Sequence, residues 1–227
     1  MKYTVNFEIE LRKNPHSGIY IALEGIDGSG KTTQAARLTE YFKSEGRDVL
    51  NTREPRRDTV VGKLVHEILE AKIKVPAVSL QYLFAADRAI HQVQIVEPAL
   101  AEGKIVISDR NFWSAIPYGL LDKSEGNKEE NPDQLLTSLS ILSMYHEFIA
   151  PDKTFIMDIP VDVAVKRLSE VDKVASIYEN REKLLKLKAG YELLLKQFPD
   201  NLISVDARMS QEEVQETILQ ELKKVVK

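Results

Sequence analysis

Residues Gly25-Ile26-Asp27-Gly28-Ser29-Gly30-Lys31-Thr32-Thr33 fit G-x-x-x-x-G-K-[ST], and no other stretch constrains the fold of this chain as strongly. The apolar run Ile19-Tyr20-Ile21-Ala22-Leu23 before the motif reads as a buried strand, and the glycine-free segment from Lys31 to Glu45 after it reads as a helix. Strand, loop and helix in that order make a phosphate cradle. The glycines let the backbone wrap close enough for its N–H groups to converge on phosphate oxygens, and the positive end of the following helix adds to the same field. In such a cradle Lys31 reaches the outer phosphates of a nucleoside triphosphate and the Thr32 hydroxyl ligates Mg²⁺.

The rest of the chain continues the alternation of strand and helix. Tyr3, Val5, Phe7, Ile9 and Leu11 alternate with polar residues and predict an added strand at the edge of the sheet, within an extension covering residues 1–17. After the first helix, Gly46 supplies a stop and Asp48 to Thr52 a second strand, which ends at Arg53-Glu54-Pro55. A helix from about Thr59 to Ala71 follows, and Ser79 is placed as the N-cap of a longer helical region. Phe84 and Arg88 in that region are four apart and share one face; they read either as core plus surface charge or as a platform and clamp for a base.

Lys104 to Ser108 is apolar on both faces and ends in Asp109, the pattern of a metal-side acid at a strand's carboxyl end. Phe112 to Leu120 predicts a short helix, Leu121 to Pro132 a solvated loop, Asp133 to Ala150 a helix, and Thr154 to Met157 a fourth strand. Helices from Val161 to Leu168 and from Tyr178 to Gln197, a strand from Leu202 to Val205 and a helix from Ser210 to Val226 complete the chain. The pattern predicts an α/β fold of the P-loop NTPase kind: a doubly wound, five-stranded parallel sheet in one domain spanning 18–227.

Composition narrows the partners. The 31 basic and 35 acidic residues are spread along the chain, so no basic domain points to nucleic acid. No apolar segment approaches a membrane span, the first residues lack a signal-peptide core, and the absence of cysteine excludes disulfides and thiolate metal sites. The expectation is a soluble cytoplasmic protein.

Taken together, Glu24 to Gln34, Thr52-Arg53-Glu54-Pro55, Leu83-Phe84-Ala85-Ala86-Asp87-Arg88 and Ile107-Ser108-Asp109-Arg110 resemble the thymidylate kinases, in order and in spacing, over about Gly18 to the C-terminus. The resemblance implies transfer of the γ-phosphoryl group of ATP to dTMP, giving dTDP, by a Mg²⁺-dependent homodimer. It implies that residues 25–33 and Arg167 hold ATP, that Thr32 and Asp109 hold the metal, and that Lys31, Asp27, Arg53, Asp109 and Arg110 carry the catalysis. It further implies that Phe84 stacks on thymine, Arg88 donates to its O4, Arg53 and Arg110 bind the acceptor phosphate, Tyr118 crowds the sugar 2′ position, and Glu54 and Ser114 complete the acceptor site.

The chain departs from that family in its cations. Gly28 follows Asp27, so the P-loop carries no arginine there, and the lid around residues 167–179 has only Arg167 and Lys173 as basic residues. Arg56-Arg57-Asp58-Thr59 replaces the Gly-Gly-Thr usual after Arg-Glu-Pro, Asn111 stands where an aromatic or His is common, and Gly119 replaces a polar residue. The alternatives these features raise are a deoxynucleoside kinase, another nucleoside monophosphate kinase, or a catalytically weak nucleotide-binding relative.

Overall fold

The computed structural model describes residues 10–126, 134–171 and 176–223. Five parallel strands run in the order β2-β3-β1-β4-β5: β1 is Ile19–Glu24, β2 Val49–Arg53, β3 Ile105–Asp109, β4 Lys153–Asp158 and β5 Leu202–Asp206. β1 lies between β3 and β4, so the chain leaves it toward one side of the sheet and later builds the other side. A crevice opens at such a switch point beyond the carboxyl ends of the strands. The register aligns Leu23 with Asp109 and Asp109 with Arg53, which places three strand ends side by side there.

Helix α1 (Lys31–Ser44) buries Gln34, Ala35, Leu38, Thr39 and Phe42, the stripe expected of a helix laid on a sheet. Helix α2 (Val60–Leu69) is capped by Thr59, whose hydroxyl accepts the Gly62 N–H at 2.9 Å. Helix α3 (Ala77–His91) passes into a π-helical turn, Gln92–Val96, and then into α4 (Glu97–Ala101). Pro98 accounts for the wider turn: it offers no N–H and its ring crowds the carbonyl four residues back. Helices α5 (Ala115–Gly126), α6 (Gln134–Leu142), α7 (Val161–Ser169), α8 (Arg181–Gln197) and α9 (Gln211–Leu222) follow. One apolar core joins the sheet to these helices, with a smaller cluster of Tyr20, Val96, Ala99, Leu100, Val106 and Ile149.

Several boundaries differ from those expected. Ser79 does not cap α3; the helix begins at Ala77 behind Pro76, and the Ser79 N–H already bonds the Pro76 carbonyl at 2.9 Å. The stretch from Leu121 is not a loop at its start, because α5 continues to Gly126 with Leu121 and Asp122 buried. The helix expected to reach Ala150 ends at Leu142, where turns carry Tyr145 into the core. Tyr178 precedes α8 rather than starting it, since Asn180 is the cap. The N-terminal strand lies outside the described residues up to residue 9. Arg12 pairs as an isolated parallel bridge with Ile149, and its guanidinium binds Glu97.

Candidate active site

The phosphate cradle is held open by backbone that only glycine adopts easily. Gly25 and Gly28 have φ of 132° and 81°. A Cβ on Gly28 would also come within 2.8 Å of the Ala164 carbonyl of α7, and one on Gly25 within 2.8 Å of the Met157 carbonyl. Lys31 opens α1 and is buried, its Nζ donating to the Ile26 carbonyl at 2.9 Å. Burial and then the charge of Arg110 lower its pKa from 10.5 to about 8, against the pull of Asp27, Asp109 and Glu24.

Thr32 and Asp109 meet directly, Oγ1 donating to Oδ2 at 2.5 Å. A hydroxyl and one carboxylate are hard oxygen donors suited to Mg²⁺, which takes few protein ligands and completes its shell from phosphates and water. The pair fits a site of that kind.

Two cavities flank this point. The first, of about 400 Å³, follows the P-loop and runs past Met157, Ala207 and Met209. Arg167 of α7 crosses it, donating to the carbonyls of Gly28 at 3.4 Å and Ala207 at 3.1 Å. The second, of about 310 Å³, is lined by Phe84 and Arg88 of α3, Tyr118 of α5, and Tyr178 just before α8. Asp27, Arg53 and Arg110 line both cavities and therefore mark their junction.

Arg110 is held from many sides. Its backbone sits at φ 76°, an unfavourable region for a side-chain-bearing residue, fixed by its own N–H to the Leu23 carbonyl at 2.9 Å and by the Ser108 hydroxyl donating to its carbonyl at 2.6 Å. The guanidinium donates to Asp27 at 2.6 Å and to Gly25, Ser114 and Tyr191 at 3.1 Å, and lies 5.2 Å above the Tyr118 ring. Burial opposes its charge, but Tyr118, Asp27, Tyr191 and Glu24 hold its pKa well above the ordinary value. Ser114 lies in the cavity wall, its hydroxyl donating to Glu24 at 2.5 Å.

Glu24, fully buried at the end of β1, also accepts from the N–H groups of Asn111 and Ser114 and from the Tyr191 hydroxyl. Glu24 and Tyr191 were not among the expected site residues. An acid at the end of an otherwise apolar strand was the only signal for Glu24, and Tyr191 gave none, since it sits on a helix 167 positions away.

In the second cavity Phe84 and Arg88 do share a face, the guanidinium 5.3 Å from the Phe84 ring centre and 5.6 Å from that of Tyr145. Glu54 stands behind Arg88: Oε2 accepts from Arg88 Nε and Oε1 pairs with His91 Nδ1, each at 2.8 Å. Burial would raise the Glu54 carboxyl, but the His91 hydrogen bond and the Arg88 charge outweigh it and hold its pKa low. Tyr178 donates to Asp122 at 2.8 Å and meets Tyr118 edge-on, with ring centres 4.8 Å apart. Asp87 ties the segment after Pro55 to α3, accepting from the Arg56 N–H and the Thr59 hydroxyl at 2.9 Å each.

The two added arginines separate. Arg56 pairs with Asp58, whereas Arg57 enters the lining of the second cavity. Among the described residues the side chain of neither Arg53 nor Arg57 has a hydrogen-bond or ion-pair partner. Asn111 is turned into the core, where its side chain accepts the Trp113 N–H at 2.9 Å, and Lys173 lies outside the described residues.

Fold and site together define a P-loop kinase with two cavities that meet at shared charges. Known proteins narrow the class. The family profile described as thymidylate kinase matches residues 23–218. A probable thymidylate kinase of Pyrococcus horikoshii is 36% identical over 214 residues, covering 89% of this chain and 94% of that protein. The thymidylate kinase of Sulfurihydrogenibium sp. is 36% identical over 209 residues, with 91% and 97% covered. The structure of thymidylate kinase from Candida albicans has the same fold, with a TM-score of 0.77 at 24% identity over 91% of this chain and 92% of that one. The chain belongs to the thymidylate kinase family.

Proposed function

We propose that this chain transfers the γ-phosphoryl group of ATP to dTMP, giving ADP and dTDP. The observation that carries the reading is the junction of the two cavities, where Asp27, Arg53 and Arg110 face donor and acceptor at once. Phosphoryl transfer depends on positioning and charge neutralisation, with little covalent participation by protein. Residues 25–33 wrap the donor phosphates, Lys31 neutralises the outer ones, and Arg167 braces the loop from α7. Thr32 and Asp109 would hold Mg²⁺, which would supply positive charge against the donor phosphates.

On the acceptor side Phe84 offers a flat face to the base and Arg88 a donor to a ring carbonyl, which favours thymine over cytosine with its amino group. Arg110 and Arg53 take the acceptor phosphate, and Tyr118 packs where the sugar enters. Arg53, whose side chain has no hydrogen-bond or ion-pair partner among the described residues, supplies a guanidinium at the junction, where Gly28 leaves the P-loop without one.

The reading includes a cytoplasmic homodimer built on residues 18–227. Exposed Val60, Val78, Tyr82 and Val93 on α2, α3 and the π turn supply apolar surface for a second copy. No described helix is long and apolar enough to cross a membrane. Product analysis tests the activity: dTDP forming only with ATP, Mg²⁺ and dTMP together supports it. Formation of dTMP from thymidine, with dTMP itself inert, assigns a nucleoside kinase instead.

A further inference from the structure

We propose that His91 is a positioning residue for recognition of the acceptor base, acting through Glu54 on Arg88. The role rests on the thymidylate kinase reading and extends it to a residue that does not line the acceptor cavity.

The connection is a continuous set of buried hydrogen bonds. Arg56 Nη1 donates to Thr52 Oγ1 at 3.4 Å, so the Thr52 hydroxyl hydrogen is available to His91 Nε2, which lies 2.8 Å away. That arrangement leaves the hydrogen on His91 Nδ1 directed to Glu54 Oε1 at 2.8 Å. Glu54 Oε2 accepts from Arg88 Nε at 2.8 Å, and Arg88 Nη1 donates to the Tyr145 hydroxyl at 3.2 Å. Two of the five guanidinium donors are thereby fixed, and the plane of Arg88 is set over Phe84 with its other hydrogens available to the cavity.

The side chains of Glu54 and Arg88 are each 6% exposed and that of His91 is 0% exposed. A carboxylate this buried needs more than one donor, and a planar guanidinium is oriented only as well as the acceptor that holds it. His91 supplies the second donor. It ends α3 where the helix passes into its π turn, one turn beyond Arg88 on the same face, and so lies beside the strand end that carries Thr52 and Glu54.

Two substitutions of similar size separate this role from simple packing. Asparagine places an amide nitrogen where Nδ1 was and keeps the bond to Glu54. Glutamine places it where Nε2 was and loses that bond. His91→Gln is expected to raise the KM for dTMP about tenfold, the scale of a lost hydrogen bond to a charged group. The inhibition constant of thymidine, which shares the base but lacks the phosphate, should rise in parallel, while the KM for ATP and kcat stay within about twofold of the unsubstituted protein. His91→Asn is expected to restore dTMP and thymidine binding to near their original values. Equal behaviour of the two variants, or a matching rise in the KM for ATP, overturns the role. The unsubstituted protein is measured alongside: turnover of dTMP there with an unaltered dTMP KM in His91→Gln overturns the role alone, whereas its failure to use dTMP overturns the kinase reading and the role with it.

Discussion

Arg110 Nη2 lies 2.6 Å from Asp27 Oδ1, so the arginine that follows the β3 strand end is locked to the P-loop at the point where the two cavities meet. Its planar fork, not its charge alone, is what the surrounding acceptors hold. Arg110→Lys keeps the charge but cannot span Asp27, Gly25, Ser114 and Tyr191 together. It should lower kcat/KM for dTMP by about 10²-fold, the equivalent of about 3 kcal/mol, while ATP binding changes little. Steady-state kinetics with each substrate varied in turn checks this.

Lys31 gives a pH dependence whose sign follows from its surroundings. Its folded-state pKa of about 8 is below the ordinary 10.5, so between those values the native protein binds fewer protons than the unfolded chain. Its unfavourable contribution to stability is full below pH 8 and fades as the pH rises toward 10. Bound triphosphate favours the charged lysine, so ATP binding at pH 9 should take up about one proton, and ATP affinity should fall as the pH rises through 8. Calorimetry in buffers of different ionisation enthalpy measures the uptake, which Lys31→Ala should abolish.

Arg57 should bind the acceptor phosphate. Arg88 and Arg110 are already paired with Glu54 and Asp27, while Arg53 and Arg57 form no ion pair among the described residues, Glu70 acting on Arg57 only at longer range, and a nucleoside monophosphate carries a charge near −2. Arg57→Ala should raise the KM for dTMP about tenfold and leave inhibition by thymidine unchanged, since thymidine has no phosphate to lose contact with. Parallel weakening of both would place Arg57 at the base instead.

Gly28→Ala should remove ATP binding and destabilise the fold. The new methyl would meet the Ala164 carbonyl at 2.8 Å on backbone with φ 81°, a strain of about 1–3 kcal/mol before the clash is added. Thermal unfolding with and without ATP checks both effects.

How much of this was legible depended on whether the signal was local. The P-loop, the pair Thr32 and Asp109 expected at the metal, and the shared face of Phe84 and Arg88 follow from spacing along one or two elements, and the structure brings each set together. Glu54 was expected at the acceptor; it lines the second cavity while its two oxygens hold Arg88 and His91. A buried acid that orients an arginine and an acid that touches a ligand have the same sequence signature. The continuation of α5 to Gly126 was hidden by polar composition from Lys123 onward, although Leu121 and Asp122 point inward. Arg56 and Arg57 are neighbours in sequence, and Asp58 and Thr52, bonding the side chain of Arg56, together with Asp87, bonding its backbone, decide which of the two reaches the cavity.

The most direct test of the central claim is the rate of ADP formation from ATP and Mg²⁺ with dTMP, dUMP, dCMP, dGMP, AMP and thymidine as separate acceptors. The highest kcat/KM is expected for dTMP, with a large deficit for dCMP because its amino group opposes Arg88, and no turnover of thymidine. Preference for another monophosphate, turnover of thymidine with none of dTMP, or nucleotide binding without any turnover would contradict it.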